Sequence, residues 1–355
     1  MQRAYSAPGK LFLCGEYAVL WGGSARVAAV GPRTAAFVRR RADRDIHLAL
    51  EEGRFSGQQT PLGVNWGGEA PVPFRFVART VDFVLRAHGR EALGFELALE
   101  PSPTSEEGHK LGLGGSARAA VLASECARFV LEARFDALKV ALLAHASAQG
   151  GKGSGADVAA VFAGGIVRYR RYDVAPLAAA AQTGQLFAAL AEAPPVDLWR
   201  LPSPKCSLAY AFAGTSASTL PLIDEVERSL SLAGKERFVL DSDELGSALE
   251  AALLEGDFDM VKRAVRELQS LLSKLGPVTT EPLRRLIALA DSFGCVAKVS
   301  GAGGGDGCVV FAPDEPTRAA FLEGLNARGV WAMPLSIEAG IRGEPAPEPA
   351  LVRWL

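Results

Sequence analysis

The sequence predicts an α+β protein of two domains, and three observations carry that expectation. Strand-like and helix-like segments are mixed on both sides of a proline-marked stretch at 173–204. The chain has 355 residues, more than the roughly 150 that one domain usually takes. It shows neither a repeat at solenoid periods nor sustained heptads. The division expected from this is 1–195 for an N-terminal domain and 196–355 for a C-terminal domain.

Taken in order, Lys10 to Leu20, Arg33 to Arg41 and Ile46 to Leu50 are short apolar runs bounded by turn residues, which predicts an antiparallel β region at the start. Residues 73–88 place apolar side chains at helical spacing with arginines between them, and Leu93 to Glu100 alternates as a strand before a loop at 101–108. Ser116 opens an alanine- and leucine-rich helix to about Arg134, and Asp136 caps a second to about Gln149. Gly150 to Gly155 forms a loop containing Lys152, Asp157 starts a short helix, and Ile166 to Tyr172 reads as a strand. Beyond the junction, Cys206 to Phe212 is strand-like. Leu220 to Leu232, Asp241 to Leu275 and Glu281 to Phe293 are helical, and strands at Val296 to Val299 and Cys308 to Phe311 bracket a last glycine loop. Pro345 to Pro349 reads as a polar tail.

A net charge of -2 and a pI near 6.2 give no bulk attraction to nucleic acid or an anionic membrane, so an anionic ligand must be held by local cations. Five cysteines, odd in number and scattered in apolar contexts, read as small buried hydrophobes of a reducing compartment. The front of the chain has no signal-peptide pattern and no apolar run reaches about 18 residues, so a cytoplasmic protein is expected.

The chemistry is concentrated in glycines. Ala7-Pro8-Gly9-Lys10, Lys110-Leu111-Gly112-Leu113-Gly114-Gly115-Ser116-Ala117 and Ser300-Gly301-Ala302-Gly303-Gly304-Gly305-Asp306-Gly307 suit backbone amides that approach a phosphate closely, because glycine removes the Cβ barrier and a following helix N-terminus adds partial positive charge. The second run is no dinucleotide fingerprint, since it follows a polar loop and lacks an acidic residue about 20 positions on. Gly151-Lys152 is followed by glycine and is no Walker A loop, and protein-kinase signatures are missing. What remains is a loop that cradles ATP phosphates with the Ser116 hydroxyl available to Mg2+, or else a plain glycine turn with Ser116 as helix cap.

In this order and spacing the three runs resemble the three motifs of the GHMP small-molecule kinase superfamily, over most of residues 5–312. The resemblance implies a two-domain GHMP kinase fold, with a ribosomal protein S5 domain 2-like N-terminal domain and a ferredoxin-like C-terminal domain. The stretch from His145 through Gln149 and Ser154 to Asp157, with Gly214-Thr215-Ser216-Ala217-Ser218 and Lys298 to Asp306, is similar to phosphomevalonate kinases. That implies transfer of the γ-phosphoryl of Mg-ATP to (R)-5-phosphomevalonate, giving 5-diphosphomevalonate in the mevalonate pathway of isoprenoid biosynthesis, by a monomer or homodimer. Mevalonate kinase, another GHMP kinase and a non-catalytic ATP-binding sensor are the alternatives.

The resemblance also assigns roles. Lys10 and Asp157 are the catalytic pair, where Asp157 alone would read as a helix cap and Lys10 as a surface lysine. Lys110, Gly112, Leu113, Gly114, Gly115, Ser116 and Ala117 would bind ATP, with Ser116 also on the metal. Lys152, Ser154, Arg171, Ser216, Lys298, Ser300, Gly301, Ala302 and Gly303 would hold the substrate. Because phosphomevalonate carries a carboxylate and a phosphate, Lys110, Lys152, Arg168, Arg170, Arg171 and Lys298 are the cations expected near it, with the Arg168 to Arg171 run partly a solvated strand face. Thr215, Ser216 and Ser218 either bond an acid group or cap the next helix. His145 and Gln149, one helical turn apart, either face the site or, for the histidine, sit buried and hydrogen-bonded. Two departures stand out: Gly115 replaces the first serine of the usual Gly-Leu-Gly-Ser-Ser-Ala, and no acidic magnesium ligand is found upstream of Asp157.

Overall fold

A computed structural model describes residues 1–90, 92–104, 108, 110–215 and 219–355. Its backbone is the antiparallel pair β1 (Gln2–Cys14) and β2 (Ser24–Arg40), joined by residues 15–23, which hold a short 3-10 helix at Ala18–Trp21. Alternation along β1 gives it two working faces. Phe12 points to one apolar cluster while Leu11 and Leu13 point to another. The register slips between Ala7 and Gly9, and at that bulge Gly9 lies so close to the backbone of Leu113 that an added Cβ would sit 3.0 Å from its carbonyl oxygen.

The sheet continues with β3 (Asp45–Leu50), β4 (Gly53–Thr60) and β5 (Gly63–Asn65). After α1 (Arg75–His88), β6 (Phe95–Leu99) enters between β2 and β3. Three helices follow, α2 (Gly115–Val130), α3 (Ala137–Ala148) and α4 (Ala156–Ala163), and they bury their apolar stripes with α1 on the Phe12 face. Asp136 caps α3 by accepting the amides of Leu138 and Lys139. Strand β7 (Ile166–Arg170) then pairs with β2.

The proline-marked stretch is not a bare junction. It holds α5 (Ala175–Gln182) and α6 (Leu186–Glu192), whose Leu177, Leu186 and Leu190 are buried in the N-terminal core, and β8 (Leu198–Leu201), which pairs with β7. The chain therefore stays on the larger sheet past residue 195, because alanine-rich helices need few apolar side chains to dock and gave no strong periodicity.

Beyond it, β9 (Ser207–Phe212), α7 (Thr219–Ser229), α8 (Leu232–Glu255), α9 (Phe258–Ser273), α10 (Glu281–Ser292), β10 (Val296–Val299), β11 (Gly307–Ala312), α11 (Glu315–Asn326) and β12 (Ala332–Leu335) build a four-stranded antiparallel sheet ordered β10-β11-β9-β12 with its helices. One face meets Leu11, Leu13 and Ile166 of the larger sheet through Tyr210, Val309 and Phe311, together with Leu249 of α8 and Leu268 of α9. The other face packs on α9, α10 and α11. The single helix expected from Asp241 to Leu275 is two, because Gly256 turns left-handed at φ 80° and Asp257 caps α9 through the amide of Met260.

The chain closes on the first sheet. β13 (Arg342–Glu344) pairs with β1, and the irregular segment at 345–348 leads into a last helix, α12 (Pro349–Trp354), with Leu351 fully buried against Ala4, Phe37, Ala49 and Ala98. The cysteines are all free, and among the described residues no helix is long and apolar enough to cross a membrane. Leu351→Ala is expected to cost about 2 kcal/mol, the lower end for a buried leucine at a terminal element; a denaturation midpoint unchanged by the substitution would show that α12 is dispensable.

Candidate active site

The glycine runs far apart in sequence meet around one cavity of about 700 Å³, walled by Lys10 of β1, the loop before α2, Ser154 and Asp157 at the start of α4, and Ser300, Gly301 and Ala302 after β10. The loop before α2 must be glycine for steric reasons. Gly112 and Gly114 hold φ of 68° and 83°, and an added Cβ would lie 2.6 Å from Asp306 Oδ2 at the first and 2.6 Å from Lys10 Cγ at the second. No side chain caps α2 at Gly114, so the amides of its first turn face the cavity unclaimed by a side chain, a ready phosphate cradle.

Lys10 is fastened to that loop twice. Its amide donates to Leu113 O at 3.1 Å and its Nζ to Gly112 O at 3.0 Å. A Cβ added at Gly301 would lie 4.0 Å from the same Nζ, so the ammonium stands between the second and third glycine runs.

Asp157 is not the cap of α4. Gly155 holds that position with φ 78°, forced by Leu142 and Tyr169, and Asp157 sits inside the first turn. Its Oδ1 accepts the amide of Val158 at 2.9 Å while Oδ2 lies 3.6 Å from His145 Nε2. That same nitrogen is 3.1 Å from Ser116 Oγ. His145 is thus the bridge between the phosphate loop and the acid, a contact its position on the helix left open in the sequence. Burial holds its pKa below the ordinary value, outweighing the pull of Asp157 in the other direction, with Lys10 pushing the same way as burial. The ring is neutral at pH 7. A proton on Nε2 serves Ser116 Oγ, with the Asp157 carboxylate close by, and leaves the unpartnered buried Nδ1 as a lone pair rather than a stranded N–H.

The third run is tied to the first. Ser300 Oγ donates to Phe12 O at 2.9 Å, Tyr17 Oη donates to Ala302 O at 2.6 Å, and Gly303 packs on Val278, where a Cβ would lie 2.3 Å from the carbonyl oxygen. Beneath them Lys298 Nζ meets Glu16 Oε1 at 2.5 Å and also donates to Val299 O at 2.6 Å.

Several expected substrate cations need correction. Lys298 is fully buried on a strand covered on both faces, and Glu16 neutralises it, so it does not face the cavity. Lys152 is ion-paired with Asp224 of α7 at 2.6 Å. Arg171 donates to Leu20 O and Gly151 O, Arg170 to Gly22 O, and Arg168 lies 3.7 Å from Glu250. None of these four lines the cavity, because partners from distant segments already hold them. Ser154 does line it, with its Oγ accepting the amide of Ala156 at 3.2 Å; Lys110 lines it as well, and Ala117 is buried behind the loop. Ser216 and Ser218 lie outside the described residues.

Sequence reasoning missed Glu16 and Tyr17, six and seven residues beyond Lys10 of the first run, and it missed Asp306, whose φ of 53° is unusual for a residue with a side chain. It also missed Thr34, Ser102 and Arg118 on the cavity wall, for which no local pattern gives a signal. Among the described residues no group of three or more His, Cys, Asp or Glu is placed to hold a metal ion.

A strand pair with a glycine cradle at a helix N-terminus, a lysine across it and an acid beside it defines a small-molecule kinase. Residues 249–330 match the family described as GHMP kinases C terminal. A phosphomevalonate kinase of Streptomyces sp. (strain CL190) is 31% identical over 341 residues, 88% of this chain and 90% of that protein. A phosphomevalonate kinase of Saccharolobus solfataricus is 25% identical over 96% of this chain and 98% of its own length. The fold is that of a solved Streptococcus pneumoniae phosphomevalonate kinase in complex with phosphomevalonate and AMPPNP, with a TM-score of 0.79, 22% identity, and coverage of 93% of this chain and 99% of that one. The chain belongs to the GHMP kinases, ATP-dependent phosphotransferases, and among them to the phosphomevalonate kinase family.

The serine missing at position 115 has a spatial explanation, since a Cβ on Gly115 would lie 2.3 Å from Ser102 Oγ. Gly115→Ser is expected to lower kcat/KM for ATP roughly fivefold, equivalent to the ~1 kcal/mol that displacing a side chain from its rotamer costs. Ser102→Gly in the same background is expected to restore it, and steady-state kinetics on the single and double variants decide whether the two positions compete for one place.

Proposed function

We propose that this protein transfers the γ-phosphoryl group of Mg-ATP to the phosphate of (R)-5-phosphomevalonate, giving 5-diphosphomevalonate for isoprenoid synthesis. The observation that carries the reading is the meeting of Lys10 Nζ, the glycine cradle of α2 and the Ser116–His145–Asp157 chain in one cavity, in a chain whose 31%-identical relative carries that name.

Phosphoryl transfer through a loose transition state needs alignment and charge neutralisation more than a strong base. An acceptor phosphate is already largely ionised at neutral pH, so Asp157 has little proton abstraction to do and serves by orienting the attacking oxygen and its counter-charges. Lys10, held by two hydrogen bonds to the loop, sits where its charge offsets that gathering on the transferred group. The free amides of α2 hold the phosphates, and the run from Ser300 to Gly303 closes over the acceptor with Ser154. Mg2+ bound with the nucleotide supplies further charge neutralisation; Ser116 Oγ, which accepts from His145 with one lone pair, keeps another for the metal.

The same proposal gives the larger sheet and its helices the nucleotide and the four-stranded sheet with its helices the closing of the cleft, in a cytoplasmic monomer or homodimer with no nucleic-acid or membrane partner. On the acceptor side it drops Lys298, Lys152 and Arg171 and relies on Lys10, Arg75 and Lys110, which line the cavity.

ADP release from Mg-ATP, compared with mevalonate and 5-phosphomevalonate as acceptors, tests the reading. Turnover with 5-phosphomevalonate alone supports it; turnover with mevalonate alone makes the protein a hydroxyl kinase, and silence with both removes the catalytic reading. Asp157→Asn is expected to lower kcat by about 100-fold or more while leaving KM for ATP within twofold, and near-full kcat in that variant would overturn the role given to Asp157.

A further inference from the structure

Four lysines and arginines are deeply buried among the described residues: Arg26, Arg118, Lys139 and Lys298. Three have a carboxylate. Arg26 meets Glu250 at 3.0 Å, Lys139 meets Asp136 at 3.9 Å, and Lys298 meets Glu16 at 2.5 Å. Arg118 has none. It is 1% exposed, its Nη1 donates to Pro32 O at 3.1 Å, and its Nε is buried without an acceptor. Burial, unopposed by any acid, pulls its pKa down to about 10, which still leaves it charged at neutral pH.

An uncompensated guanidinium in a protein interior is costly, and one that lines a cavity points to an anion that enters it. Two further features locate that anion. Arg118 lies one turn into α2, three residues beyond Gly115, and helical side chains lean towards the N-terminus, so this long side chain runs back towards the glycine loop. Thr34, two residues from Pro32 on β2, lines the same cavity, and its Oγ1 is also buried without a partner. A cation and a hydroxyl, each with a buried polar atom that has no partner, thus line the cavity onto which the cradle opens.

We propose that Arg118, with Thr34 beside it, is a ligand of the nucleotide's phosphates, whose charge stays uncompensated until the triphosphate enters. The proposal rests on the reading that ATP occupies the α2 loop. It makes nucleotide binding pay back a destabilisation built into the free enzyme, so ATP stabilises the fold through Arg118 as well as through the amides of the loop.

The test uses Arg118→Met, which keeps the length and apolar packing of the stem, and Thr34→Val. Thermal unfolding and calorimetric ATP binding are measured without acceptor. Free Arg118→Met is expected to melt at or above the wild-type temperature, to bind ATP at least tenfold more weakly, and to lose most of the melting-temperature gain that ATP gives the wild type. Adenosine, which lacks the phosphates, binds both alike. Thr34→Val is expected to weaken ATP several-fold without lowering the melting temperature of the free protein, and it carries the test if Arg118→Met does not fold.

A lower melting temperature for free Arg118→Met together with unchanged ATP affinity would make the arginine a packing residue and overturn the proposal. So would unchanged ATP affinity with a raised KM for 5-phosphomevalonate, which would put the acceptor's acid groups on Arg118. A wild type that fails to bind ATP would overturn both this inference and the kinase reading, whereas ATP binding without transfer to any acceptor would remove only the latter.

Discussion

The ion pair between Glu16 and Lys298 is the constraint on which the cleft depends. Both groups are almost wholly shielded from water, at 3% and 0% exposed, so each requires the other. Removing one partner of such a pair leaves a charge stranded in the interior, at a cost of about 3–5 kcal/mol. Glu16 follows the first glycine run by six residues and Lys298 precedes the third, 282 positions away from Glu16. Joining them brings Ser300 to the carbonyl of Phe12 and Tyr17 to that of Ala302, and so sets Gly301 beside the ammonium of Lys10. The pair thus ties the third glycine run to the first, across the seam between the two sheets.

Glycine does the complementary work on the other wall. Lys10 and the loop of α2 approach so closely that Gly114 has no room for a side chain against the lysine stem, and Gly112 none against Asp306. The crowding holds the loop's amides open to the cavity without a side-chain cap, and it carries Lys10 into position through the bulge at Gly9. His145 adds the cross-link that glycine cannot provide. Kept neutral by burial, it touches the hydroxyl of Ser116 and the carboxylate of Asp157 without bringing a further positive charge into the site.

Much of this was legible in the sequence, and the failures share a cause. The glycine runs announced a phosphate cradle because the backbone geometry they permit is local, and Asp136 announced its helix because a cap bonds within three residues. The ends of helices set by tertiary context were less legible. The alanines of α5 and α6 read as a junction, although they dock on the first core. The cations were least legible. Lys298, Lys152 and Arg171 lie near the right loops in sequence, but what a charge does depends on its partner, and those partners are Glu16, Asp224 and the carbonyls of Leu20 and Gly151. His145 lay open for the same reason, since both groups it bridges come from other helices.

The positive charges therefore sort by environment rather than by proximity to a motif. Those sealed with a carboxylate, at Arg26 and Lys298, are scaffold: their attraction is spent on holding the elements around the larger sheet and the two outer glycine runs together. Those paired near the surface, such as Lys152 with Asp224, face water and salt screening, and they bind the turn before α4 to α7 only weakly. What remains on the cavity wall has a different balance. Lys10 is held by carbonyls rather than by an acid, and Arg118 has a single carbonyl and no acid. Carbonyl oxygens orient a cation without cancelling its charge, so these two keep their field directed into the cavity. A near-neutral protein can draw a polyanionic nucleotide into its cleft because that field is concentrated where the amides of α2 already point.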